Sequence, residues 1–275
     1  MNSINSINSA NSEQKLEHSI VVERLTKVYK GNTKAVNDIS FTVGQGEFFG
    51  FLGPNGAGKS TTMKILSTLL TPTKGHVVIN GYELGKQDNE IRKSIGFGMQ
   101  GVTLDDLATP MENLVLIGVL YGRTTNESRA RAEELLKILS LNHVRDRWVK
   151  NFSGGMKRRL DLAAVLMHDP KILFLDEPTE GLDPAARRVI WDYLRKRNTE
   201  GTTIFLTTHY MDEADALATR LSIIDHGTIM ITGSPAELKK KVGGKTLEDV
   251  FIHYTGHTIR EEEISTNAPD PYIHS

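Results

Sequence analysis

The sequence contains no cysteine, which excludes disulfide bonds and thiolate metal sites and is typical of a reducing compartment. It also lacks a long hydrophobic run. The longest, from Leu114 to Leu120, is interrupted by Gly118 and is far shorter than the ~20 residues that a membrane-spanning helix needs. The formal net charge is -1, so the composition gives no reason to expect a nucleic acid as a partner. We expect any role at a membrane to depend on a partner protein.

Three regions differ in composition. Residues 1–19 repeat Asn-Ser-Ile without an apolar core, which predicts a disordered polar tail and not a signal peptide. Residues 20–255 form the predicted domain, in which apolar strands alternate with helices, a rhythm typical of a parallel sheet with crossover helices. Residues 256–275 become acidic and then polar, which predicts a second disordered tail.

A helical region over about 105–166 interrupts this alternation, and we interpret it as an insertion between two halves of the core. Within it, Asn126 is the expected N-cap of a helix that runs to residue 141. Another helix is predicted over 59–70, where its apolar positions have helical spacing and Pro72 ends it.

The most specific phosphate-binding pattern follows a short aromatic strand over 47–52. Residues 53–60 read Gly-Pro-Asn-Gly-Ala-Gly-Lys-Ser, which fits the P-loop pattern G-x-x-x-x-G-K-S. Glycines allow backbone N–H groups to point inward around phosphates, and Lys59 can reach the β- and γ-phosphate oxygens. Ser60 can ligate Mg²⁺, and the helix that begins at Lys59 directs the positive end of its dipole toward the anion. These residues predict nucleotide binding.

Two adjacent carboxylates end a later apolar strand. Residues 172–175 are apolar and predict a strand buried on both faces, which places Asp176 at its carboxyl end beside the P-loop. There Asp176 can hold Mg²⁺ while Glu177 faces an attacking water, and these are parts that phosphoryl transfer needs. The alternative is that two acidic residues simply end a strand and begin a turn.

A second candidate anion site lies at residues 151–160, which read Asn-Phe-Ser-Gly-Gly-Met-Lys-Arg-Arg-Leu. Ser153, Gly154 and Gly155 open a helix whose apolar positions continue at helical spacing to Met167. Free N–H groups and the Ser153 hydroxyl could face a γ-phosphate. The alternative is an ordinary helix with Ser153 as its N-cap. Its occurrence with a P-loop and an Asp-Glu strand favours the anion site.

Together these motifs resemble the nucleotide-binding subunit of an ATP-binding-cassette (ABC) transporter over roughly residues 20–225. Residues 53–60 match the Walker A loop, 172–177 the Walker B strand, and 151–160 the signature sequence, in which Phe152 replaces leucine and Met156 replaces glutamine. The resemblance implies an α/β fold: a P-loop NTPase core with a mixed sheet and crossover helices, an N-terminal antiparallel β subdomain and an inserted helical subdomain.

The resemblance also assigns roles to single residues. It implies catalytic roles for Glu177, His209, Gln100 and Lys59, and metal ligation by Ser60, Gln100 and Asp176. Gln100 matches the Q-loop, Asp183 the D-loop, His209 the switch histidine, and Tyr29 the aromatic that stacks on adenine. Alone, a histidine after a strand is usually structural, and Tyr29 could be an ordinary edge aromatic. The nucleotide-binding set is Tyr29, Gly53, Pro54, Asn55, Gly56, Ala57, Gly58, Lys59, Ser60, Thr61, Ser153, Gly154, Gly155 and Asp183.

By the same resemblance, two copies pack head to tail, and the P-loop of one and Ser153-Gly154-Gly155 of the other hold each ATP. Glu177 would act as general base and His209 would position the γ-phosphate and water. The implied cofactors are ATP and Mg²⁺. The implied partners are a second copy of the chain and a separate transmembrane permease, which places the protein peripherally at the cytoplasmic face of the membrane.

Segments outside the motifs resemble the ABC-2 class of drug-resistance and polysaccharide exporters. They are residues 108–114, 121–122, 187–191, and 246–251 together with 255–256. Three alternatives stay open: an ABC ATPase without a transporter, an ATP-responsive regulatory subunit, and a small-molecule kinase. The first usually carries two cassettes or a long coiled coil. The second conflicts with intact Asp176, Glu177 and His209, and the third leaves Ser153-Gly154-Gly155 without a role.

Overall fold

A computed structural model describes residues 18–98 and 104–256. The strands in these ranges are β1 (His18–Val28), β2 (Lys34–Gly44), β3 (Phe48–Leu52), β4 (Lys74–Ile79), β5 (Tyr82–Glu83), β6 (Ile95–Gly98), β7 (Ile172–Asp176), β8 (Thr203–Thr208), β9 (Arg220–Asp225) and β10 (Thr228–Gly233). The α-helices are α1 (Lys59–Leu66), α2 (Asp88–Ser94), α3 (Pro110–Leu120), α4 (Thr125–Ile138), α5 (Gly154–Val165), α6 (Pro184–Thr199), α7 (Met211–Leu217), α8 (Pro235–Val242) and α9 (Leu247–Thr255). Short 3-10 helices lie at Asn142–Val144 and Val149–Asn151.

Two sheets form the scaffold. The first has the order β2-β1-β4-β5 and is antiparallel, as predicted for the N-terminal subdomain. The second has the order β10-β9-β3-β8-β7-β6 and is parallel except where β10 pairs with β9. The predicted mixed sheet is therefore confirmed. Because β3, β7 and β8 are parallel neighbours, their carboxyl ends meet at one edge of the sheet.

A cluster of aromatic rings packs between the two sheets. Phe205 on β8 lies 5.5–5.8 Å, centroid to centroid, from the rings of Phe41, Phe49, Phe51 and Phe174. All of these side chains except Phe41 are essentially inaccessible to solvent. β3 and β7 are five-residue strands buried on both faces, which explains their unbroken apolar sequences. The core therefore holds in place the strand ends that precede the P-loop and the carboxylates.

The region between β6 and β7 contains α3, α4 and α5, which pack through buried leucines such as Leu114, Leu135 and Leu160. The predicted N-cap Asn126 is wrong: Thr124 caps α4. Its hydroxyl accepts from the Glu127 N–H, and the Glu127 carboxylate accepts from the Thr124 N–H. This reciprocal capping box needs an acidic residue three positions after the cap, which Thr124 has and Asn126 lacks.

Two further boundaries differ from the predictions. β1 begins at His18, so Ser19, assigned to the tail, is a buried strand residue whose hydroxyl hydrogen-bonds the Thr203 hydroxyl at 3.0 Å. α1 ends at Leu66 and not at residue 70, because Thr68 adopts a left-handed backbone with φ 66°. Gln100 and most of the two predicted tails lie outside the described residues.

Candidate nucleotide-binding site

The loop over residues 53–58 joins β3 to α1, and its shape depends on glycine. A Cβ at Gly58 would lie 2.3 Å from the Ala35 carbonyl oxygen, and the residue has φ 101°. A Cβ at Gly53 would lie 2.2 Å from the Ile224 carbonyl oxygen. Since no larger residue fits either position, the backbone turns tightly there and α1 begins directly after it.

The side chain of Lys59 is directed back into this loop. It is only 4% exposed, and its Nζ donates to the carbonyl oxygens of Gly53 and Pro54 at 2.9 Å each. The same Nζ lies 3.0 Å from Glu177 Oε1, which makes a buried ion pair between the P-loop and the end of β7. A buried ammonium at the start of a helix favours an anion in the loop.

Glu177 and His209 form the other half of this group. Glu177 follows β7, and its Oε2 lies 3.1 Å from Nδ1 of His209, which follows β8. Burial alone would raise the pKa of Glu177, but the His209 hydrogen bond and the Lys59 charge outweigh it and lower that pKa to about 2. The hydrogen bond that His209 donates to the Glu177 carboxylate raises the pKa of His209. The structure thus brings together three predicted site residues, Lys59, Glu177 and His209.

Asp176 lies at the last position of β7, where it is 9% exposed. The Thr207 hydroxyl on the adjacent strand donates to its carboxylate, and the Thr207 carbonyl accepts the Glu177 N–H at 3.1 Å. These bonds orient one carboxylate and the backbone of the next. Ser60 and Asn55 on the loop are exposed, whereas Pro54 and Ala57 are buried.

The other predicted nucleotide contacts lie on separate elements. Tyr29 is 41% exposed, and its hydroxyl lies 3.5 Å from that of Thr61, next to the P-loop serine. Ser153 accepts the Met156 N–H at 3.3 Å, and Asp183 accepts from Ala185 and Ala186. These are the hydrogen bonds of helix N-caps. Among the described residues, no hydrogen bond joins Ser153 or Asp183 to the Lys59–Glu177–His209 group. Gln100, which the resemblance assigns to catalysis and metal ligation, lies outside the described residues.

Two charged side chains next to the site were not predicted, the partly buried Arg158 and the fully buried Glu213. The Arg158 guanidinium on α5 donates to backbone carbonyls at the end of β7. Glu213 on α7 accepts from Thr179 at 2.7 Å and from Trp191 at 2.9 Å, and burial raises its pKa. Nothing in the sequence distinguishes Arg158 from Lys157 and Arg159, because the signal is spatial. Glu213 lies on α7, the helix that begins shortly after His209, a position that suggests a role only once the fold is known.

Comparison with known proteins places this geometry in a family. The family model described as ABC transporter matches residues 36–180. The ATP-binding protein for daunorubicin/doxorubicin resistance of Streptomyces peucetius is 44% identical over 229 residues, which are 83% of this chain and 69% of that protein. The chain belongs to the ABC transporter family. As an ABC ATPase, it binds and hydrolyses ATP.

Two further similarities extend the comparison of this ABC ATPase. The Nod factor export ATP-binding protein I of Rhizobium sp. (strain N33) is 43% identical over 219 residues, 79% of this chain and 72% of that protein. A dimeric ATP-binding cassette solved in a post-hydrolysis state with ADP and phosphate has a TM-score of 0.72 and 29% identity, covering 78% of this chain and 98% of that one. Among the described residues, each helix is too short or too polar to cross a bilayer.

Proposed function

We propose that this ABC ATPase energises a membrane exporter of the ABC-2 class by closing and opening as a head-to-tail dimer around ATP. The observation that carries the proposal is the Lys59–Glu177–His209 group, which lies where the P-loop meets the carboxyl ends of β7 and β8. A phosphate-binding cation can neutralise developing charge, an ionised carboxylate can take a proton from water, and an imidazole can position either group, so the three together suit hydrolysis of a phosphoanhydride.

In this proposal the P-loop residues 53–61 and Lys59 bind the phosphates, and Tyr29 stacks on the adenine. Ser153, Gly154, Gly155 and Asp183 act across the dimer, since each lies at or beside the open N-terminus of α5 or α6. The support for a shared site is that a similar cassette was solved as a dimer with ADP and phosphate, and the roles of these four residues are part of the proposal.

Glu177 is the proposed general base and His209 the residue that holds it in place. The Lys59 ammonium binds Glu177 Oε1, so a bound triphosphate offers oxygens that compete with Glu177 for this cation. Loss of this ion pair raises the pKa of Glu177 toward its ordinary value, which improves it as a base. ATP binding would thereby activate the carboxylate, and His209 would keep its Oε2 oriented.

Mg²⁺ is the proposed metal, with Ser60, Asp176 and Gln100 as protein ligands. The exposed Ser60 hydroxyl and the Asp176 carboxylate are hard oxygen donors, which suit Mg²⁺. When bound, the metal would neutralise charge on the β- and γ-phosphates. The Thr207 hydroxyl, which donates to Asp176, fixes the orientation of that ligand.

The catalytic assignment is tested with Glu177→Gln and, as a matched control, Glu180→Gln, three residues further along. We expect Glu177→Gln to bind ATP at least as tightly as wild type, because Lys59 loses its competing carboxylate, and to lose about 10²- to 10⁴-fold in turnover, the usual contribution of a general base. Glu180→Gln should keep most of its turnover. Unchanged hydrolysis by Glu177→Gln, or a selective loss in Glu180→Gln, would remove Glu177 from the proposed role.

The proposed partner is a separate transmembrane permease, which would hold the ATPase at the cytoplasmic face of the membrane. The support is that similar proteins are ATP-binding proteins of daunorubicin/doxorubicin resistance and of Nod factor export. The cargo would be a drug, a lipid or a polysaccharide. Purification of the tagged chain from detergent-solubilised membranes should yield a stoichiometric polytopic protein. Recovery with ribosomes or DNA would instead support an ABC ATPase without a transporter.

A further inference from the structure

Arg158 fastens the helix that follows Ser153 to the backbone around Glu177. Its Nη2 donates to the carbonyl oxygens of Asp176 at 2.8 Å and Glu177 at 2.7 Å, and its Nε donates to that of Pro178 at 3.0 Å. One guanidinium therefore engages three consecutive peptide groups. A planar fork of N–H donors can do this, whereas a lysine ammonium offers only a point charge.

These carbonyls belong to the segment that sets the direction of the candidate base. Glu177 has φ 47°, a left-handed backbone that is unfavourable for a residue other than glycine. Such a conformation persists only where the surroundings hold it in place. From the sheet, the Thr207 carbonyl and hydroxyl accept the Glu177 N–H. From α5, Arg158 holds the carbonyls on either side of the same residue.

The N-terminus of α5 is the candidate second anion site. Ser153 is the N-cap, and Gly154 and Gly155 form the first turn, with Arg158 in the next turn of the same helix. Five residues of helix span about 7.5 Å, so a displacement of the N-terminus moves Arg158 almost as a rigid body. A Cβ built at Gly154 has nothing within 4 Å, so this N-terminus is open for contact by another molecule.

We propose that Arg158 is a positioning residue, through which contact of the α5 N-terminus with ATP on the partner copy sets the backbone of Glu177 in the same chain. This inference rests on the proposed function, in which Glu177 is the base and Ser153-Gly154-Gly155 face the ATP of the second copy. Each chain would then align its own base only when its α5 is seated on the other nucleotide. Arg158 thereby couples the two ATP sites.

Arg158→Met and Arg158→Lys test this role, with the same changes at Arg131 as the matched control. Arg131 on α4 is also a largely buried arginine, with an ion pair to Asp169 at 2.6 Å and a hydrogen bond to the Leu166 carbonyl at the far end of α5. It has no hydrogen bond or ion pair with the segment at Glu177 among the described residues. The measurements are kcat, the ATP dissociation constant and the thermal midpoint of each purified chain.

We expect Arg158→Met to lose about 10- to 100-fold in kcat, the scale set by a misplaced catalytic group, while its ATP dissociation constant stays within about twofold. Arg158→Lys should recover part of the loss, because it can still reach one carbonyl. Both Arg131 variants should lower the thermal midpoint and leave the kcat of the folded protein within about twofold, since no catalytic group is displaced. If Arg158→Met does not fold, Arg158→Lys carries the comparison.

Three results would overturn the coupling role: an unchanged kcat in the folded Arg158 variants, an equal loss of kcat in the Arg131 variants, or a parallel loss of ATP affinity. The parallel loss would indicate a merely structural residue. Failure of the underlying function is distinct, since it requires full turnover by Glu177→Gln. An inactive Glu177→Gln together with fully active Arg158 variants refutes only the inference about Arg158.

Discussion

Replacing Glu177 by glutamine should destabilise the nucleotide-free chain, although glutamine has nearly the same size and shape as glutamate. The same substitution should trap the complex with ATP. A pKa lowered from 4.5 to about 2 corresponds to about 3 kcal/mol of folding free energy at neutral pH, at about 1.4 kcal/mol for each pH unit. The side chain is only 11% exposed, so solvent screens its ion pair weakly. Glutamine imitates the protonated acid and leaves the buried Lys59 ammonium without its counter-charge.

The loss of stability in Glu177→Gln should depend on pH, because Glu177 and His209 both have shifted pKa values. The contribution of Glu177 is fully present above its unfolded-state pKa of 4.5 and is lost as the pH falls toward about 2. His209 behaves oppositely: its pKa is raised above 6.5, so its share is fully present below 6.5 and is lost as the pH rises through the folded-state value. The stability difference between wild type and Glu177→Gln should therefore be greatest between the two unfolded values, 4.5 and 6.5.

Thermal and urea denaturation of the nucleotide-free proteins from acid to alkaline pH measures this difference. For a domain of this size about 3 kcal/mol corresponds to a shift of roughly 6–12 °C in the thermal midpoint. Glu200→Gln is the control, because Glu200 forms exposed pairs with Lys196 and Arg197, which are worth at most about 1 kcal/mol. Equal stability of wild type and Glu177→Gln at pH 6, or a difference that does not shrink in acid, would refute the reasoning.

Three other changes have defined outcomes. Gly58→Ala should abolish ATP binding in a nucleotide titration and cost about 1–3 kcal/mol, because its Cβ would meet a backbone carbonyl at 2.3 Å in a left-handed residue. Asp161→Asn should stabilise the protein by up to about 3 kcal/mol above pH 6, since burial raises the pKa of Asp161 to about 6, and urea denaturation should show this gain fading toward its unfolded value of 3.8. Thr124→Ala should cost about 1 kcal/mol in the same assay and Asn126→Ala nearly nothing, because Thr124 caps α4; the reverse order would contradict the capping box.

Much of the candidate site could be predicted because its signals are local in the sequence. The P-loop needs glycine at fixed spacing, and Gly53 and Gly58 occupy places where a Cβ would strike a carbonyl. β7 has four apolar residues followed by Asp176, so the strand places this carboxylate at its end whatever the rest of the fold does. The α/β class follows from the alternation of strands and helices, whereas the mixed sheet was implied by the resemblance to ABC ATPases, and both are confirmed.

The parts that could not be predicted depend on contacts between distant segments. Lys59 and Glu177 were each assigned to the site, but their ion pair appears only when β3 and β7 flank β8 in one sheet. Arg158 has two basic neighbours in sequence, and only the packing of α5 against β7 selects it. Asn126 and Thr124 are both good N-cap residues, and Thr124 is the cap because Glu127, three positions later, completes its capping box. The disorder predicted for the two tails and the role predicted for Gln100 stay predictions.

The proposed mechanism requires that two chains share each ATP. Light scattering coupled to size exclusion, with a count of bound nucleotide, tests it on Glu177→Gln in ATP and Mg²⁺. We expect a complex of two chains with two ATP, and we expect Gly154→Asp in the same background to bind ATP yet stay a single chain. A Cβ at Gly154 would have nothing within 4 Å in its own chain, and the new carboxylate would repel the partner's triphosphate. A single Glu177→Gln chain saturated with ATP, or a dimer unaffected by Gly154→Asp, would contradict the shared site.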